Sequence, residues 1–97
     1  MSRILSLFFF ILLFAGTPYG CVSAPVQEMS DARQALQAAQ VAGAEEHAAE
    51  VLYDARRLLQ QAEQELDQRH FQNAREHALR AKERAIVARE AAQHANP

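Results

Sequence analysis

Residues 71–95, FQNAREHALRAKERAIVAREAAQHA, decide the fold. Within them Phe71, Ala74, Ala78, Ala81, Ala85, Ala88, Ala92 and Ala95 follow one another at spacings of three and four. That is the period of one helix face, and it predicts a helix over about 71–93. Leu79 and Ile86 lie beside the stripe. An inward face of alanine lets helix axes approach towards the low end of the usual 8–10 Å. It also buries little apolar area per residue, so a neighbouring helix must supply the bulk.

Upstream, Leu52, Ala55, Leu59, Ala62 and Leu66 repeat at the same spacings and predict a second helix over about 48–68. Its Leu52, Leu59 and Leu66 ridge, laid on the alanine face, is the expected main stabilising contact, with Phe71 closing one end. The polar stretch 67–72 is read as a tight turn without Gly or Pro, so the two helices form an antiparallel hairpin. A first helix is expected from about Asp31 to Ala42, with Ser30 as N-cap and Asp31 favourable to the helix dipole. Its inward residues are Ala32, Ala35, Leu36, Ala39 and Ala42, and Gly43 is its stop. The fold class is therefore all-α, a short three-helix arrangement with alanine-rich, coiled-coil-like packing. On the outer faces Glu65–Arg69, Glu76–Arg80 and Glu90–His94 stand as i,i+4 pairs, each worth about 0.2–0.5 kcal/mol. The bases Arg75, Arg80, Lys82, Arg84 and Arg89 alternate with Glu76, Glu83 and Glu90, the pattern of a solvated face.

The start of the chain is of a different kind. Arg3 precedes ILSLFFFILLFA at residues 4–15, which as a helix spans about 18 Å against a hydrocarbon core of about 30 Å. Such a run is short for a membrane span and suits the apolar part of an export signal. Gly16 and Pro18 break it before Gly20-Cys21. A small residue directly before a cysteine, just after the apolar run, resembles a bacterial lipobox. That resemblance implies a Cys21 thiol alkylated with diacylglycerol and a mature chain beginning at Cys21. Pro18 and Tyr19 depart from the usual aliphatic and small residues of the pattern. Val22 after the cysteine, in place of Asp, implies sorting to the outer membrane, facing the periplasm. The competing readings are ordinary cleavage after Ala24, at the small-residue run Val22-Ser23-Ala24, and an uncleaved anchor. The expected organisation is a signal peptide over 1–20, a lipidated cysteine and tether over 21–29, and a helical domain over 30–97.

The run SDARQALQAAQVAGA at 30–44, the leucine–alanine repeat over 52–66 and Phe71-x2-Ala74-Arg75-x2-Ala78 together resemble domain-of-unknown-function family 4398. Its members are short, alanine-rich, helical bacterial lipoproteins. Ala49 stands where members often carry a proline. The resemblance implies an envelope location and a helical fold. It implies no activity and no ligand residues.

The residues give no catalytic constellation. A single cysteine excludes an internal disulfide, and a net charge of −2 gives no case for a nucleic-acid partner. The three glycines are scattered and form no phosphate loop. His70 and His77 are seven residues apart, which at helical rise is two turns and about 10.5 Å along the axis, too far to share an ion. His47 with Glu50, and Glu90 with His94, offer two ligands each. Glu45, Glu46 and Glu50 cluster on an expected turn and should be solvated. No cofactor, metal or small-molecule substrate is expected. The expected partners are a membrane, through the lipid on Cys21, and a protein or a second copy, through the helical faces. A non-catalytic structural or interaction lipoprotein is therefore the leading function. A soluble periplasmic scaffold cleaved after Ala24 is the alternative. A long coiled-coil spacer is disfavoured by Gly43 and by the break at 67–72.

Overall fold

The alanine stripe of the last helix is the common wall on which two other helices pack. The computed structural model describes residues 23–95. Four helices follow in order: α1 (Val26–Val41), α2 (Ala44–His47), α3 (Ala49–Asp67) and α4 (Phe71–Ala95). α2 is a single turn, so three long helices make the fold. α4 packs closely along α3 and, nearly as extensively, along α1, while α1 and α3 touch much less. The directions follow from the paired residues. Asp54 meets Arg84 and Glu65 meets His77, which makes α3 and α4 antiparallel. Glu28 meets Arg75 near the starts of α1 and α4, and the ends of both helices, at Val41 and Gln93, line one depression. These two helices are therefore parallel. The path is up, down, up.

Ala74, Ala78, Ala81, Ala85, Ala88 and Ala92 of α4 are fully buried, as the three-four spacing requires. Ala95 is exposed, because α4 at 25 residues outruns both neighbours. Leu52, Ala55, Leu59 and Ala62 of α3 are buried against the stripe, and Leu66 is partly buried beside them. Leu58 joins this core as well. Phe71 does not: it is half-buried and sits in a shallow depression formed by its own neighbours Arg69, His70, Gln72 and Asn73. It is the first residue of α4 and stands outside the core cluster that Leu66 borders.

α1 begins earlier than the sequence reading placed it. Pro25, not Ser30, stands at its N-cap, and the Met29 N–H donates to Pro25 O at 3.0 Å. Residues 26–29 are thus helix and not tether. The reason lies in Met29, which is 1 % exposed and extends the inward stripe by one step, Met29–Ala32–Leu36–Ala39. Burying this side chain contributes about 1.5–3 kcal/mol, which favours carrying the helix back a full turn. Pro25 itself is fully buried and, lacking an N–H, loses nothing at a helix start. Ser30 lies inside the helix, where its Oγ accepts from Gln34 Nε2.

The two turns are closed by left-handed residues. Gly43, at φ 91°, ends α1 with its N–H on Gln40 O, and its own carbonyl receives Glu46 and His47 of α2. Arg69, at φ 62°, does the same after α3 without a glycine. Its N–H donates to Leu66 O at 3.0 Å and the His70 N–H to Glu65 O at 2.8 Å, the paired bonds of a Schellman motif.

Candidate functional site

Polar contacts between helices fix how the bundle is held. Arg75 on α4 reaches back to the start of α1, donating through Nε to Glu28 Oε1 at 3.2 Å and through Nη2 to Ser23 O at 3.1 Å. Arg33 of α1 pairs with Glu63 of α3 at 3.6 Å. On the other side of α4, Asp54 lies between Arg57, at 2.8 Å, and Arg84, at 3.0 Å. The Arg57 guanidinium, with Arg84 beyond it and against a smaller opposing effect of burial, holds the Asp54 carboxyl below the ordinary carboxylate range. His77 Nδ1 and Glu65 Oε1 are 2.5 Å apart and largely shielded from water. Glu45 is exposed, as expected, and on the surface it also accepts from Arg56 at 2.7 Å, tying α2 to α3.

The i,i+4 pairs expected from the sequence do not form. Glu65 turns to His77, while Arg69, Arg80 and His94 make no ion pair with another described residue. For Glu65 the cross-helix His77 takes the place of Arg69; the other two pairs stay apart on the exposed face, where holding two long side chains together gains little. The exchange at Glu65 is visible only once the helices are assembled.

A groove runs along α1 and α4. It consists of two adjoining depressions of about 500 and 400 Å³ that share Gln34, Ala38 and Arg89. Its shape follows from register. Glu28 and Arg75 pair at a separation of 47 residues. Two turns further along both helices the same separation sets Ala35 opposite Lys82, and two turns beyond that Ala42 opposite Arg89. Alanine replaces glutamate at these steps, so Lys82 and Arg89 have no glutamate opposite them on α1. Arg89 Nε is buried without a hydrogen-bond partner among the described residues. Ile86 lies in the groove, and Val41, at its far end, is 84 % exposed.

Of the residues singled out in the sequence, Cys21 and the segment 1–20 lie outside the described residues. His47 stands 3.9 Å from Glu46 across the single turn of α2. His70 is in the turn and His77 is in the α3–α4 seam, so they do not converge. Among the described residues no group of three or more His, Cys, Asp or Glu is placed to hold a metal ion. None of their helices is long and apolar enough to cross a membrane.

The family comparison agrees with these helical boundaries. The sequence profile described as Domain of unknown function (DUF4398) matches residues 27–96, from the first turn of α1 to just beyond α4. No curated protein and no solved structure matches the chain. A match over well over half of the chain makes this protein a member of the DUF4398 family.

Proposed function

We propose that the chain is a non-catalytic lipoprotein of the bacterial cell envelope. In this reading a lipid on Cys21 anchors it to the outer membrane, facing the periplasm, and the helical domain serves as a structural or protein-interaction module. The observation that carries the reading is the Gly20-Cys21 pair behind an apolar run too short to span a bilayer. The start of the domain supports the same processing site. Four residues, 22–25, separate Cys21 from α1, an extended reach of about 14 Å. A lipidated domain would stand directly on the membrane surface rather than at the end of a long tether. Besides the buried N-cap Pro25, two of those four residues take part in the fold. Ser23 O accepts from Arg75, and Ala24 O accepts the Val26 N–H at 2.8 Å. Cleavage after Ala24 would remove both acceptors, whereas a mature chain beginning at Cys21 keeps them. This favours the lipoprotein over the soluble scaffold.

Fractionation of cells expressing the full chain or its Cys21→Ser variant tests the proposal. The expected result is the wild-type chain in the outer-membrane fraction and the variant displaced from it. Equal distribution of the two would overturn lipid anchoring through Cys21.

A further inference from the structure

Three rows run side by side along α4, each repeating every seven residues: Arg75, Lys82, Arg89; then Gln72, Leu79, Ile86, Gln93; then Glu76, Glu83, Glu90. At 3.6 residues per turn the row of Leu79 and Ile86 lies between a basic flank and an acidic flank. This seam is separate from the buried alanine stripe and borders the α1–α4 groove. Ile86 lines the groove, and Leu79 is 43 % exposed. Arg75 is engaged by Glu28. Lys82, Arg89, Glu76, Glu83 and Glu90 form no ion pair with another described residue. An apolar seam with one basic and one acidic edge is self-complementary, the arrangement by which charges beside a coiled-coil seam choose partner and direction.

We propose that a second copy of this chain docks its α4 along this seam, parallel to the first, about a twofold axis running between the two helices. Leu79 and Ile86 of each copy then meet their own counterparts. Lys82 faces Glu83 of the second copy, Arg89 faces Glu90 of the second copy, and the twofold axis repeats both contacts. The direction follows from the charges. A parallel pair sets basic edge against acidic edge on both sides, whereas an antiparallel pair would set basic against basic. Ala35 and Ala38 of α1 leave room for the incoming helix beside α4. The inference rests on the reading of the domain as an interaction module and names its partner.

Cysteine cross-linking of the full chain in its host membrane tests it. The parent chain, whose only cysteine is Cys21, sets the background. Leu79→Cys and Ile86→Cys are each expected to give an oxidised dimer, and Arg80→Cys, on the far side of the acidic row, is not. Adding Glu83→Lys to Ile86→Cys should lower the association constant roughly tenfold, by turning two attractions into repulsions. Adding Lys82→Glu as well should restore it, because the swapped charges are again complementary. Dimer from Leu79→Cys and Ile86→Cys no stronger than from Arg80→Cys overturns the proposal. Reaction of Leu79→Cys only with co-expressed Gln93→Cys overturns the parallel direction. An Ile86→Cys adduct with a different envelope protein overturns self-pairing and leaves the interaction module standing. No adduct from any α4 position on a membrane-bound chain removes both.

Discussion

Replacing Ala85 with leucine tests whether the alanine stripe holds the bundle by close approach. Ala85 is fully buried at the middle of α4, on the stripe that receives both α1 and α3. Leucine adds three carbons where the facing helices already supply Leu36, Leu52 and Leu59 as the bulky partners. Overpacking of this kind costs typically about 1–3 kcal/mol. A domain of this size has only about 3–5 kcal/mol to lose. With about 4–8 °C of melting temperature per kcal/mol, the expected fall is at least about 4 °C and extends to loss of the cooperative transition. Ala91→Leu is the control, because Ala91 is exposed on the same helix and leucine is nearly as good a helix former. The assay is thermal unfolding of both variants by circular dichroism at 222 nm, a wavelength that reports helix in general. If Ala85→Leu melted with Ala91→Leu, or above the parent, the seam would have spare volume and the close-approach argument would be wrong.

Three further outcomes follow from the contacts. Arg69→Gly removes the left-handed strain of a residue with a Cβ at φ 62° and should raise stability by up to about 1 kcal/mol; a loss on chemical denaturation would contradict the Schellman reading. Arg75→Ala deletes the ties to Glu28 and Ser23, so amide exchange should accelerate over residues 26–30 while residues 81–88 stay protected; uniform acceleration would refute this local role. Asp54 has its carboxyl lowered in the fold, so its small stabilisation is present above about pH 4 and lost as pH falls through the folded value. Asp54→Asn should therefore flatten the acid limb of melting temperature against pH, and an unchanged limb would show that Arg57 and Arg84 add nothing.

What the sequence made legible was whatever depends on period. The α4 stripe, the α3 ridge and the stop at Gly43 were readable because each side chain's direction is set by its own helix. The first turn of α1 was hidden by Pro25, which reads as a breaker and here serves as a cap. Met29 carried the missing signal, since it continues the three-four spacing back from Ala32. Leu58 and the cross-helix pairs Glu28–Arg75, Asp54–Arg84 and Glu65–His77 depend on how two helices are set against each other, which no local period encodes. The groove belongs to the same class. Ala35 and Ala42 read as inward and do pack against the core, and the parallel register of α1 with α4 adds that they stand opposite Lys82 and Arg89.

The lipoprotein reading stands or falls on the mature N-terminus. Intact-mass analysis of the protein purified from its host envelope tests it most directly. The expected species is a chain that starts at Cys21 and carries the added mass of its acyl groups. A chain that starts at Pro25 with no added mass would contradict it.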